Sequence, residues 1–485
     1  MQYEPVIGLE VHAQLRTRSK VFCGCSTRFG APPNSQTCPV CLGLPGSLPV
    51  VNVQAVEMAA RAGLALECRI NRRSLLARKN YFYPDLPKGY QISQFEEPLA
   101  VDGRVRLLTL DGRTRGKPGT LRELSVGIIR VHLEEDAGKS IHAARQDTQV
   151  NLNRCGVPLM EIVTHPDLRS GKEASEFLDY LRRVLLFLSL CDGNMEEGSL
   201  RCDANVSVRP RGETSLGTKT EIKNLNSFRF LNKALDYEIR RQIRVLESGR
   251  EVVQETRLWE EDLEVTRPMR SKEEAHDYRY FPDPDLLPVV ISAERLDEIR
   301  NQMPELPGDR ARRFGSQYGL DPGDALVATR TPEFAEYFEA SAKSAGNPKS
   351  VLNWMVGDVT HRLRRDGRGL EDSPVKAADL GELIRLLDEG TISGKMAKGV
   401  FDRMYETGKP PGKIVREQNL AQISDRSELE SVVSGILESH ADAVERYRNG
   451  KRGLLGFFVG QVMRQTRGQA NPKMVNQLLR RMLDR

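Results

Sequence analysis

Val6-Ile7-Gly8-Leu9-Glu10-Val11-His12-Ala13-Gln14-Leu15 alternates residue by residue. Leu9, Val11 and Ala13 fall on one side of an extended chain and Glu10, His12 and Gln14 on the other, because successive strand side chains point to opposite faces. Cys202 to Arg209 repeats the pattern, with Asp203, Asn205, Ser207 and Arg209 opposed to Ala204, Val206 and Val208. Lys219, Glu221 and Lys223 make a third polar stripe, and Arg130 to Glu134 a fourth. Half-polar strands of this kind predict an antiparallel sheet with one packed face and one working or solvated face.

Two helices interrupt the strands. Ser170 and Glu173 form a capping-box signature ahead of Phe177, Leu178, Leu181, Val184, Leu185 and Leu188 at helical spacing. Ser227 opens the second, which carries Phe230, Leu231, Ala234, Leu235, Ile239 and Ile243. The class is therefore α+β. Proline-containing segments at Asp283-Pro284-Asp285 and Pro304-Glu305-Leu306-Pro307 mark a boundary, after which the texture turns to helices with short turns. Gly408-Lys409-Pro410-Pro411-Gly412 marks a second joint. The expected organisation is an antiparallel-sheet domain over 1–292, an all-helical domain over 293–408 and a small helical tail over 409–485, with no internal repeat.

With 485 residues, 39% hydrophobic and 29% charged, the chain can bury several cores and stay soluble. Its longest apolar run, Val184 to Cys191, is less than half of a membrane span. The first residues, Met1 to Pro5, lack the basic-then-apolar pattern of a secretory signal, so the chain is read as cytoplasmic. A net charge of +5 does not by itself imply nucleic acid. Its distribution is more telling: Arg446 to Arg485 holds ten basic residues and one acidic residue, Asp484. Arg448, Lys451, Arg452, Arg464, Arg467 and Lys473 make a cationic face on apolar helical stripes, which suits either an RNA backbone or plain solvation.

Cys23-x-Cys25 and Cys38-x-x-Cys41 are two short pairs separated by twelve residues. Each pair places two thiolates on one turn, and two such turns complete a tetrahedral Zn²⁺ site with no open position, hence a structural one. Cys68, Cys155, Cys191 and Cys202 are scattered and read as reduced thiols.

Carboxylates gather on the strands. Glu10 and His12 share a strand face; Glu134, Glu135 and Asp136 follow another; Glu161 lies between Met160 and Ile162, where an unpaired charge is expensive. Oxygen ligands with one imidazole suit Mg²⁺ or Mn²⁺ and hence a nucleoside triphosphate. The competing reading is a solvated acidic face with one buried ion pair, Lys223 or Arg201 being the partner. Gly138-Lys139-Ser140 ends like a P-loop, but Leu133 stands where the first glycine belongs, so any ATP is held without that motif. Lys79 to Pro84 and Tyr278 to Asp283 mix aromatics with cations and suit either base stacking or packed turns.

Ile7 to His12, Leu159 to Val163 with His165-Pro166-Asp167, Glu196 to Val206, Glu221 to Ser227, Tyr278 to Pro282 and Gly468 to Pro472 ahead of Asn476 together resemble the B subunits of the tRNA-dependent amidotransferases, over the whole chain. The resemblance implies a cradle domain, a helical domain and a tRNA-binding tail. It also implies a heterotrimer, in which the partners are an amidase (the A subunit) and a small C subunit. It implies that ATP and Mg²⁺ activate the side-chain carboxylate of Glu-tRNA(Gln) or Asp-tRNA(Asn), which ammonia from glutamine then converts to the amide. Carried onto this chain, Glu10, His12, Glu135 and Glu161 match the family's carboxylate/imidazole site. Glu134, Glu196, Glu197, Asp203 and Lys223 sit in matching motifs, Lys223 as a phosphate-facing cation. The four cysteines match the zinc site of some members. A tRNA-binding scaffold without chemistry of its own is the alternative.

Overall fold

β1 (Tyr3–Gln14) lies in the middle of a nine-stranded sheet. Its other members, in chain order, are β2 (Arg69–Ile70), β6 (Ala100–Asp111), β7 (Thr120–Glu135), β10 (Pro158–Thr164), β11 (Leu200–Pro210), β12 (Thr220–Lys223), β13 (Thr256–Glu260) and β14 (Val265–Pro268). They are ordered β14-β13-β12-β11-β1-β10-β7-β6-β2. Smaller sheets take β3 (Arg73–Ser74) with β16 (Val289–Val290), β4 (Ala77–Asn80) with β5 (Tyr90–Ser93) and β15 (Phe281–Pro282), and β8 (Lys139–His142) with β9 (Thr148–Asn151). The computed structural model describes residues 2–111, 120–142, 148–269, 278–420, 426–466 and 469–484.

The large sheet is antiparallel except where β12 and β13 run parallel. The exception has a cause in the chain: α3 (Phe228–Glu247) carries the polypeptide back between those two strands, as a parallel neighbour requires. α3, α2 (Gly171–Phe187) and α1 (Val53–Ala65) cover one face. There they pack on Leu9, Val11, Ala13, Val131, Leu133, Met160, Ile162, Ala204 and Val206. Ser170 caps α2 by accepting from the Glu173 amide, while Glu173 accepts from the Arg169 amide. Ser227 caps α3 in the same way through Phe230. Both starts satisfy amides that would otherwise lack partners.

The chain divides into two compact units, Met1–Arg310 and Ala311–Arg485. In the first, α4 (Ala293–Asn301) buries Ile299 in the sheet's core, and Arg295 meets Glu57 of α1 at 2.5 Å. α5 (Pro307–Tyr318) straddles the division. The second unit contains α6 (Pro322–Ala328), α7 (Pro332–Ala345), α8 (Pro348–Trp354), a π-helical turn at Met355–Val359 and α9 (Thr360–Arg365). It continues with α10 (Ala377–Asp388), α11 (Gly394–Thr407), α12 (Pro411–Glu417), α13 (Arg426–Ser439), α14 (Ala441–Arg448), α15 (Leu455–Gln465) and α16 (Pro472–Leu483). Its last four helices share a core of Leu429, Val433, Ile436, Tyr447, Phe458, Val462, Val475 and Leu479. No helix among the described residues is long and apolar enough to cross a membrane.

Candidate active site and metal centres

The face of the sheet opposite the helices is polar. Register makes it continuous: His12 stands opposite Arg201 on β11 and Glu161 on β10, Glu161 stands opposite His132 on β7, and Glu10 stands opposite Asp203. Directly opposed residues project to the same side. Five side chains thereby converge. His12 Nε2 is 3.2 Å from Glu161 Oε2, 3.7 Å from Glu10 Oε1 and 4.0 Å from Glu134 Oε2. His132 Nε2 is 3.2 Å from Glu134 Oε1 and 3.6 Å from Glu161 Oε2. Arg130 approaches the other oxygen of Glu161 at 3.7 Å.

The neighbours of Glu161 explain how a carboxylate survives inside an apolar strand. Burial opposes its ionisation, but His132, His12 and Arg130 outweigh that and hold its carboxyl well below the usual range. Burial likewise opposes the charge on His12, yet the hydrogen bond to Glu161 and the charges of Glu161, Glu134 and Glu10 lift its pKa to about 9. Glu10, unlike Glu161, is raised, by burial and by the charge of Glu161. Arg201 and Lys223, the candidate partners of Glu161, are engaged elsewhere. Arg201 meets Asp136 at 3.0 Å, and Lys223 meets Asp203 at 2.6 Å and Glu221 at 3.7 Å. Register decides this, since Glu161 faces β1 and β7 rather than the outer strands.

Glu10, His12 and Glu161 place one ligand atom each within 4.8 Å of one another, and His132, Glu134 and Glu161 do the same. Glu135 does not join them. It follows Glu134 in β7 and so points through the sheet. There it pairs with Lys88 and accepts from the Ile92 amide at 2.9 Å. It lines a cavity of about 200 Å³ with Lys20, Cys41, Lys88, Tyr90 and Asp283. Asp203 stays at the edge of the cluster, neutralised by Lys223. Glu196 and Glu197 are exposed in the turn before β11.

His132 is the member the sequence reading passed over. The signal was present in the alternation Arg130, His132, Glu134, which puts all three on one face. Ser93 and Gln91 of β5 also reach Glu134, at 2.8 and 3.4 Å.

The four sulfurs of Cys23, Cys25, Cys38 and Cys41 lie within 4.8 Å of one another, as a tetrahedral ion with ~2.3 Å bonds to sulfur requires. The Cys38 amide donates to Cys41 Sγ at 3.2 Å. The buried Lys20 ammonium reaches the same sulfur at 3.6 Å. A hydrogen bond from Cys23 holds the Cys41 thiol low and raises Cys23, one bond acting on its two ends.

The two aromatic segments pack on each other. Tyr81 meets Tyr278 edge-on at 6.0 Å, Tyr280 stacks on Phe95 at 4.3 Å, and Lys79 lies 4.9 Å from the Tyr278 ring centre. Phe82 and Tyr83 remain exposed. Gly138-Lys139-Ser140 turns into the β8–β9 hairpin. In the tail, Arg448 donates to the Leu483 carbonyl at 3.2 Å, and Arg452 pairs with Asp484. Lys451 and Arg464 are exposed. Arg467 and the side chain of Lys473 lie outside the described residues.

Comparison with known proteins agrees with this architecture. The GatB/GatE catalytic domain family matches residues 5–297, and the GatB domain family matches residues 336–483. A protein of Thermodesulfovibrio yellowstonii is 54% identical over 483 residues, covering all of both chains. One of Carboxydothermus hydrogenoformans is 53% identical, covering 99% of this chain and 98% of its own. One of Chlorobium phaeobacteroides is 52% identical, covering all of both. Each of the three is named as the B subunit of an aspartyl/glutamyl-tRNA(Asn/Gln) amidotransferase. The chain belongs to the GatB/GatE family.

Proposed function

We propose that this chain is the ATP-using, tRNA-binding B subunit of a glutamine-hydrolysing aminoacyl-tRNA amidotransferase. The reaction activates the side-chain carboxylate of Glu-tRNA(Gln) or Asp-tRNA(Asn) and replaces its oxygen with ammonia from glutamine. The convergence of Glu10, His12, Glu134 and Glu161 on one sheet face carries this reading. A side-chain carboxylate is a poor acyl donor because its leaving group is oxide; phosphorylation supplies a better one. Glu10, His12 and Glu161, with Glu134 beside them, would hold Mg²⁺, which would supply charge neutralisation of the phosphoryl oxygens. Lys223, at the edge of the cluster, faces a phosphate when Asp203 yields it. His132 and Arg130 hold Glu161 ionised and oriented.

The four cysteines would hold Zn²⁺, which would tie the residue 23–25 turn to the 38–41 turn as a structural ion. The sheet unit serves the acceptor end of the tRNA, and the cations of the tail serve its backbone. The partners are an amidase (the A subunit) and a small C subunit, in the cytoplasm.

The test is tRNA-dependent ADP release by the reconstituted complex. Glu161→Gln and His12→Ala are expected to lower it at least ~100-fold, the loss of several kcal/mol of charge stabilisation, with glutaminase activity still detectable. Wild-type ADP release from both variants overturns the reading and leaves a non-catalytic tRNA scaffold.

A further inference from the structure

α9 carries two arginines in opposite circumstances. Arg362 is surrounded by carboxylates: Asp402 at 3.2 Å, Asp366 at 3.9 Å and Glu406 at 4.0 Å, with the Tyr405 ring beneath it. Arg364 is exposed and has no ion pair among the described residues. It lies one turn after Thr360 on the same side of the helix. The Thr360 hydroxyl in turn accepts from Arg330 at 3.2 Å.

Arg330 is half-buried, and it too has no carboxylate partner among the described residues. Its guanidinium carbon lies over the Phe334 ring, 3.8 Å from the ring centre. That packing and the bond to Thr360 hold the guanidinium in place. A guanidinium has five N–H donors, and among the described residues one is used. Thr360 thus links the two arginines, one bonded to its hydroxyl and one a helical turn away, and burial and then the charge of Arg364 lower the Arg330 pKa. The placement is built: the π-helical turn Met355–Val359 sets the start of α9, and Thr360 donates back to the Met355 carbonyl at 2.6 Å. A desolvated cation held beside a like charge is unfavourable until an anion arrives. A tetrahedral anion with oxygens for two forks resolves it.

We propose that Arg330, positioned by the Thr360 hydroxyl, and Arg364 form a phosphate-binding site that takes a backbone phosphate of RNA. The choice of RNA rests on the tRNA-handling function above. Free inorganic phosphate shares the chemistry, and the experiment separates the two.

The full-length chain in its purified complex is titrated with a tRNA(Gln) transcript over a range of salt. Arg364→Gln is expected to weaken binding about 3–10-fold at physiological salt and to reduce the slope of log affinity against log salt by about one. Arg330→Gln/Arg364→Gln is expected to reduce the slope by about two. Arg385→Gln removes an exposed helical arginine that pairs with Glu389, and is expected to stay within about twofold of wild type. Arg364 is exposed, so its replacement does not threaten folding. If Arg364→Gln and the double variant both bind like Arg385→Gln, the site is overturned. If sodium phosphate raises the melting temperature of wild type but not of the double variant, while tRNA affinity is the same in both, a free-anion site replaces the RNA site. The kinase reading is judged on ADP release by Glu161→Gln and this one on tRNA affinity, so either can fail alone.

Discussion

The cysteine cluster and the carboxylate–imidazole cluster are built in contrary ways. The first takes its four ligands from two turns within nineteen consecutive residues. The second takes its ligands from β1, β7 and β10, with Glu10 and Glu161 meeting only through sheet register. The first has matching ligands and closes on itself. The second mixes imidazole with carboxylate, is held open by opposed charges and leaves Glu10 partly exposed. Spacing specifies the first, and topology specifies the second.

The strongest challenge to that contrast is removal of the shared carboxylate. Glu161→Gln is expected to weaken Mn²⁺ binding, read by electron paramagnetic resonance, by at least ~100-fold, with zinc content unchanged. The neighbours Glu134 and Glu135 sharpen it. Glu134→Gln is expected to weaken Mn²⁺ about 10–100-fold, whereas Glu135→Gln, on the far side of the sheet, stays within about threefold. Equal losses in the two would show that register does not select the ligands. Conversely, Cys38→Ala is expected to abolish zinc and lower the melting midpoint by several degrees, with Mn²⁺ affinity within about threefold of wild type.

The smallest effect concerns pH. Without a metal, and against burial, the carboxylates around His12 raise its pKa from 6.5 to about 9 in the folded chain, and chelator-treated protein tests the consequence. The folded state then holds the proton more tightly, so this stabilisation is complete below pH 6.5 and fades as pH climbs through 9. Wild type is expected to lose a few degrees of melting temperature over that window, and His12→Gln less. Parallel curves for the two would remove His12 from the account.

The legible parts of the sequence were the local ones. Alternation in β1 and β11, the serine caps of α2 and α3 and the two cysteine pairs are each decided within about a turn or strand of chain. Pairing between distant strands is not, which is why Arg201 and Lys223 stood as candidate partners for Glu161 while Arg130, His12 and His132 hold it. The period of two in β7 already separated Glu134 from Glu135 and aligned His132 with Glu134, so that part could have been read. The parallel β12–β13 pair follows from the helix between them, but which edge it joins is a matter of tertiary packing.

The antiparallel register of β1, β10 and β7 also sets an order of events during synthesis. The cysteine turns are complete once Cys41 has been made, whereas Glu161 is translated 120 residues later. At roughly 5–20 residues per second the interval is on the order of 6–24 seconds. A nascent chain therefore has all four cysteines while the strand that supplies Glu161 does not yet exist, and an aborted chain ending before β10 holds the first cluster without the second.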